Sequence, residues 1–442
     1  MFKKVLPLST ILFLRFLGLF LVLPVLSLYA MDLQGATPFL VGVIVGGYAL
    51  TQAIFQIPFG SMSDKIGRKP TILFGLILFA AGSLVAAYSD TIYGLMFGRF
   101  LQGAGAIGSV VTAMIADLVE EKQRGHAMAI MGGFIAMAFA FAMGLGPVAA
   151  THFGVSFIFE ITAVLAVFAM VILFVKVPTP PTIKHIYHKK SKTSDILNDP
   201  NLLSMIIINA MQKGLMTAAF VIIPIFLTDP QYGFGWEKSE LWKVYAPAMV
   251  AGLIAMGPAA VFGEKRNIPK QIFLVSITLF ILSFALMGTT TNSTVFVVAV
   301  ILFFIAFNMM EPLVQSMISK FAKVHQKGAA LGIANSAAYF FTFIGGSFAG
   351  LFLSFSSREV LGLSIAAIGL LWLLWSAFKM QNPPRYAHLV ISQSEINEEK
   401  LNNLEHEHIA EWFINESEKV VVIKYAKEKL SEDELKSKII NS

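Results

Sequence analysis

The chain is 442 residues long, 56% hydrophobic and 14% charged, with a formal net charge of +6 at pH 7. Soluble domains carry about 25% charged residues, so this composition excludes a water-soluble globular protein. The absence of cysteine excludes disulfides, thiolate catalysis and iron–sulfur or zinc–thiolate centres.

Lys3 and Lys4 precede an apolar run from Val5 to Met31. A secretory signal has an apolar core of about 7–15 residues, so this longer run reads as a first, uncleaved span. At roughly 20 residues per crossing, further apolar segments follow at 38–60, 71–89, 91–117, 125–150, 154–176, 199–228, 240–262, 270–289, 293–319, 327–354 and 359–379. Their continuous apolarity argues against a β-barrel, whose strands alternate in polarity. The fold expected is therefore an all-α membrane protein with twelve transmembrane helices. They form two six-helix halves, 1–176 and 199–380, joined by a basic, proline-rich linker at 177–198.

Lysine and arginine placement sets the orientation. Lys3, Lys4, Lys65, Arg68, Lys69, Lys122, Arg124, Lys176, the linker lysines Lys184, Lys189, Lys190 and Lys192, then Lys265, Arg266, Lys270, Lys320, Lys323, Lys327, Lys379 and Arg385 fall on one side. Lys238, Lys243 and Arg358 fall on the other. Both termini are therefore expected in the cytoplasm. From 381 to 442 the chain turns polar, with strands expected at 386–391, 408–415 and 419–425 and helices at 394–407 and 431–440. Ser431 and Glu434 form a capping-box pattern at the last helix. This β-α-β-β-α order suggests a small α+β ferredoxin-like C-terminal domain lacking its final strand.

Between the second and third segments the chain reads Gly60-Ser61-Met62-Ser63-Asp64-Lys65-Ile66-Gly67-Arg68-Lys69-Pro70. Topology accounts for the cations but not for Asp64 or the glycines. Gly60 would let two helices approach closely. Asp64 can face a helix N-terminus or a cation. Arg68 can hold a carboxylate bidentately, and Asp117, at the end of the fourth segment, stands where it would accept from it. The matching stretch of the second half, Gly257 to Arg266, keeps a basic cluster and glycines. A second latch is therefore expected to be degenerate.

Ionisable residues inside a membrane are expensive and functional by default. Arg15, Arg99, Glu160, Lys213 and Glu311 interrupt the apolar segments. Arg99 lies about 12 Å into the fourth segment at 1.5 Å per residue and should face the bundle interior. Glu311 follows Asn308 by three positions and precedes Pro312. A carboxylate withdrawn from water holds its proton more readily, which suits a group that exchanges protons across a membrane. Lys213 is its candidate partner, and a static structural pair is the alternative. Glu160 is shallower and can reach the interface. Arg15, roughly 15 Å into the first span, would orient the surroundings of Arg99 or compensate a carboxylate. Tyr48, Gln52 and Gln56 recur every four residues, as do Asn335, Tyr339 and Phe343. With Asn308 these stripes are candidate linings of a substrate cavity, and helix packing is the alternative.

The pattern Gly60-x-x-x-Asp64-Lys65-x-Gly67-Arg68-Lys69, set among twelve segments, resembles the cytoplasmic signature of the major facilitator superfamily. Arg99-Phe100-Leu101-Gln102-Gly103 resembles its Arg-x-x-Gln-Gly pattern. Gly144-Leu145-Gly146-Pro147 resembles its antiporter motif, with Ala149 and Ala150 where that motif has two glycines. The stretches 15–26 and 52–60, with the polar C-terminal region, resemble a drug:proton antiporter branch carrying a ferredoxin-like C-terminal domain. The resemblance implies that the charged turn latches the halves when the transporter is open outward. It ties Arg99 to proton movement, a hydrogen-bond hub with helices one and five being the alternative. It also implies that Gly144, Gly146 and Pro147 kink and seal helix five, ordinary small-residue packing being the alternative. The expected activity is proton-driven export of small, amphipathic molecules across the bacterial inner membrane by alternating access. A metabolite:proton symporter or a transporter-like membrane sensor are the alternatives. The expected partners are the lipid bilayer, protons and a small-molecule substrate. No enzymatic activity, cofactor, metal or nucleic-acid partner is expected, and the chain should be a monomer.

Overall fold

The computed structural model describes residues 2–119, 121–179, 193–230, 233–322, 326–383, 386–392, 409–415, 420–426 and 430–439. Among them, twelve helices are long and apolar enough to cross a membrane. Spans one to six are Phe2–Met31, Pro38–Ile66, Arg68–Ala87, Ile92–Leu118, His126–Phe153 and Val155–Val175. Spans seven to twelve are Pro200–Thr228, Lys238–Lys265, Pro269–Thr289, Ser293–Phe321, Lys327–Phe355 and Arg358–Lys379.

Several spans open on a cap that their sequence supplies. Thr37 accepts from Leu40 N ahead of Pro38, and Asp199 accepts from Asn201 N and Leu202 N ahead of Pro200. Thr91, Asn292 and Ser357 do the same at spans four, ten and twelve. Each cap satisfies amide groups that would otherwise lack a partner at a helix start, and proline fits there because its missing N–H is not needed.

Two expectations are corrected. The charged stretch 60–70 is not a loop. Span two runs to Ile66 and span three begins at Arg68, so Gly67 alone makes the turn. Its φ of +97° is one that glycine adopts without steric cost. Span four is not continuous either. Its first helix ends at Ala104 and a second helix starts at Gly108.

The helices pack as two halves that meet unevenly. Call the ends bearing Lys3, Lys65 and Lys379 the basic face, and the opposite ends the far face. Near the far face, span two lies directly on span eleven, where a Cβ on Gly42 would stand 2.1 Å from the Gly346 carbonyl. Such small-residue contacts let membrane helices approach backbone to backbone. Lys238 of span eight bonds Asp32, just past span one, at 2.7 Å, tying the halves there. Towards the basic face, Cβ atoms on Gly60, Gly132, Gly257, Gly328 and Gly332 would meet nothing within 4 Å. Among the described residues, the halves are therefore sealed at the far face and parted at the basic face.

The linker contributes a short helix, Thr193–Leu197; its basic and histidine residues from 184 to 192 lie outside the described residues. Beyond span twelve, β1 (Tyr386–Ser392), β2 (Ile409–Asn415) and β3 (Val420–Ala426) form an antiparallel sheet in the order β1-β3-β2. Leu389, Ile391, Val421, Ile423, Tyr425, Leu430 and Leu435 form its core. The closing helix is Glu432–Ile439, with Ser431 accepting from Glu434 N. The helix expected at 394–407 lies outside the described residues. Lys424 of β3 donates to the Lys320 carbonyl at 3.3 Å, which sets the sheet against the end of span ten.

Candidate gate and transport site

The turn at Gly67 places an acid on one helix end and a cation on the next. Arg68 Nη1 donates to Asp64 at 2.6 Å and to Ser63 Oγ at 2.5 Å, while its Nε donates to Asp117 on span four at 3.0 Å. Ser63 in turn donates to the Gly60 carbonyl. Spans two, three and four are thus clamped through one guanidinium. Lys69 makes no ion pair within the described residues. The expectation that Gly60 serves a close helix contact does not hold in this arrangement, because the halves are parted there and its surroundings are open.

The second half has a counterpart that the sequence reading overlooked. Glu264, in the last turn of span eight, accepts from both Ser316 and Lys320 of span ten. An acid at the same helix end as Asp64, directly before Lys265-Arg266, was the available signal. Arg266 stacks on Phe262 instead, 4.5 Å from the ring centre.

Two arginines lie fully buried within the first half. Arg99 donates to Gln102 at 2.8 Å, and Gln102 donates to Ser83 of span three at 2.8 Å. Arg99 Nε also reaches the Ile44 carbonyl at 3.4 Å, and its guanidinium lies 4.8 Å from the Tyr48 ring centre. It is a hub, but one joining spans four, two and three rather than one and five. Arg15 Nη2 donates to Gln52 at 3.2 Å and to the Gly105 carbonyl, at the break in span four, at 3.0 Å. Neither arginine pairs with a carboxylate among the described residues. Such a burial costs roughly 2.5–3.5 kcal/mol on insertion scales, and ring faces and carbonyl dipoles offset part of it.

In the second half, Lys213 Nζ holds both oxygens of Glu311, at 2.9 and 2.7 Å. Gln212, its neighbour, donates to Glu311 and to the Phe307 carbonyl, each at 3.0 Å. Pro312 follows the acid inside a continuous helix. The Glu311 side chain is 36% exposed and that of Lys213 is 23% exposed. The pair therefore borders accessible space rather than sitting dry, unlike the buried carboxylate expected. Gln212 was not singled out from sequence, although its place beside Lys213 could have marked it.

The stripes divide. Tyr48, Gln52 and Gln56 are buried, and Tyr339 of span eleven faces Gln52 with Arg15 and Glu311 nearby. That contact links the two halves at the centre. Asn335 accepts from Gln315 of span ten at 3.1 Å. Asn308 is packed between spans eight and ten, bonded to the Phe304 carbonyl, rather than lining a space. Glu160 is half-buried near the start of span six. In span five a Cβ on Gly146 would press on the Leu21 carbonyl at 2.2 Å, whereas one on Gly144 would meet nothing. Gly146 thus carries the close contact with span one, and Gly144 does not; Pro147 lies buried beside it within the helix.

The Major Facilitator Superfamily model matches residues 8–346 and 249–421. The chain is 37% identical over 427 residues to the inner membrane transport protein YajR of Escherichia coli, covering 94% of this chain and 92% of that one. It is 36% identical over 146 residues to the quinolone resistance protein NorA of Staphylococcus aureus, covering 33% of this chain and 37% of that one. Among solved structures, the D-xylose-proton symporter superposes with a TM-score of 0.69 at 14% identity, covering 86% of this chain and 99% of that one. That last likeness is one of fold.

Proposed function

We propose that this chain, which belongs to the Major Facilitator Superfamily, exports small, amphipathic molecules across a bacterial inner membrane in exchange for protons. The observation that carries this reading is Glu311, held at 2.7 Å by Lys213 within span ten and still partly accessible. A carboxylate so placed can take a proton from the side to which it opens. Protonation removes its charge and releases Lys213. The lysine and glutamine around it then favour a different packing, and that difference couples proton to motion.

The uneven packing of the halves supports alternating access. With the basic face in the cytoplasm, the state described here is open inward, sealed by Gly42 on Gly346 and by Lys238 on Asp32. Closing the basic face would bring the open surface of Gly60 against span eleven. It would also bring Asp64, now exposed, towards the positive end of that helix at Lys327. The Arg68 clamp pre-positions Asp64 for this. The relation to an inner membrane transport protein supports the location, and the stretch shared with a quinolone resistance protein supports export. The strand order β1-β3-β2 supports reading the C-terminal region as a ferredoxin-like unit.

The test is flux in proteoliposomes holding the full-length chain. An imposed proton gradient should drive a screened cargo opposite to the protons. Glu311→Gln should abolish that drive while leaving exchange of cargo for cargo. Flux of cargo along with protons would replace antiport by symport.

A further inference from the structure

Span four is broken in mid-membrane. At the break the Gly105 carbonyl accepts from Ile107 N at 2.9 Å and from Arg15 Nη2 at 3.0 Å. No side chain caps the eleven-residue helix that starts at Gly108. Gly108 itself is partly exposed, and a Cβ there would meet nothing within 4 Å. Within lipid, unpaired backbone is tolerated where it is buried in protein or lines a cavity.

Two buried nitrogens of Arg15 at this break, Nε and Nη1, lack a partner. Both are donors. Gln52 gives its oxygen to Arg15 Nη2 and turns its amide towards Tyr339, so it offers these two nitrogens no further acceptor. The uncapped helix start adds further N–H groups and the positive end of a dipole. Arg15 is fully buried and has no carboxylate partner among the described residues. Across the interface Glu311 is matched by Lys213, so the positive charge of Arg15 stays uncancelled. Its guanidinium lies 5.4 Å from the ring centres of both Phe16 and Phe79, and Tyr339 faces Gln52 from the other half. A purely structural clamp on Gly105 accounts for Nη2 and leaves the other two guanidinium nitrogens idle.

We propose that Arg15, Gln52 and the start of the helix at Gly108 bind the anionic head of the cargo, a carboxylate or phosphate carried on an aromatic or aliphatic body. The inference rests on the transport reading above and narrows its cargo to anions. Cationic amphiphiles would meet Arg15, Arg99 and Lys213 against one matched carboxylate.

The test uses the full-length chain in phosphatidylcholine nanodiscs, with benzoate and phenyl phosphate as probes and benzylammonium as the control. Both anions should raise the thermal midpoint as their concentration rises, and benzylammonium should not. Gln52→Glu places a carboxylate against the idle nitrogens. It should raise the midpoint without ligand and weaken the anion response by about tenfold or more, as loss of charged hydrogen bonds implies. Arg15→Gln should lose the response as well. Should that variant fail to fold, Gln52→Glu carries the test. An equal response to benzylammonium, or a full anion response in Gln52→Glu, overturns the proposal. So does suppression of the response when phosphatidylglycerol is added to the disc, which would assign the site to a lipid headgroup. Proton-driven export of a cationic cargo would sink this inference and leave the transport reading intact. Anion binding without any proton-driven flux would do the reverse.

Discussion

Arg68 holds two carboxylates at once, Asp64 at 2.6 Å and Asp117 at 3.0 Å, and the two bonds differ in environment. The Asp64 side chain is 67% exposed and that of Asp117 is 18% exposed. An exposed pair contributes about 0–1 kcal/mol, whereas a charged hydrogen bond shielded from water contributes about 1.5–3 kcal/mol. Asp117→Asn should therefore lower unfolding stability by about 1–2 kcal/mol. Asp64→Asn should cost less than about 0.5 kcal/mol and yet impair transport, because the role of Asp64 lies in the other state. Thermal unfolding and flux, measured side by side, check this. Equal stability losses, or normal flux in Asp64→Asn, would contradict it.

The Lys213–Glu311 pair predicts a double-variant pattern. Glu311→Gln leaves Lys213 against Gln212 and the Phe307 ring, 4.8 Å away, without a counter-charge. Breaking a buried pair costs about 3–5 kcal/mol. Partial exposure of both groups reduces that here to about 1–2 kcal/mol. Adding Lys213→Met to Glu311→Gln should restore stability but not proton-driven flux. Recovery of coupling in the double variant would assign the proton elsewhere, with Glu160 the next carboxylate to test.

Much of this arrangement was legible from single residues, and what was missed depended on distant ones. The twelve spans follow from apolar runs of membrane length. Arg99, Lys213 and Glu311 stand out because charge inside such runs is rare. The break at Gly105 does not stand out, because glycine and alanine are ordinary in packed membrane helices. Its stabilising partner, Arg15, lies 90 residues away. The helical character of 60–70 was hidden by its charges, which read as loop, while the φ of Gly67 belongs to the fold. Glu264 was passed over because its partners, Ser316 and Lys320, come from another span.

Glycine substitutions at opposite ends of span two should shift the molecule in opposite directions. A Cβ on Gly42 would overlap the Gly346 carbonyl, and overpacking of this kind costs about 1–3 kcal/mol. Gly42→Ala should therefore destabilise the far-face seal and populate the state open on that side. Gly60→Ala meets no obstacle here. It should leave this state unchanged and hinder closure of the basic face. The chain has no cysteine, so single cysteines placed at Ala150 and at Ile66 report the two faces without background. Labelling at Ala150 should rise in Gly42→Ala, and labelling at Ile66 should rise in Gly60→Ala. The same direction of change in both variants would refute the two-ended seal.

The last turn of span ten serves two purposes, and that overlap predicts communication with the C-terminal sheet. The side chain of Lys320 is held by Glu264, while its carbonyl receives Lys424 from β3. Helix C-termini carry partial negative charge, so a lysine is favoured there. Among the described residues Glu264 alone fixes the Lys320 side chain, and without it the turn that presents the carbonyl can fray. Glu264→Gln should then speed amide hydrogen exchange in β1 and β3 severalfold, with little change in spans one to six. Lys424→Met removes the contact from the other side and should produce the same pattern in the sheet while leaving span eight protected. The pair of variants separates undocking from general destabilisation, which would raise exchange throughout. Unchanged exchange in the sheet for both would mean that the Lys320 carbonyl contributes nothing to its placement.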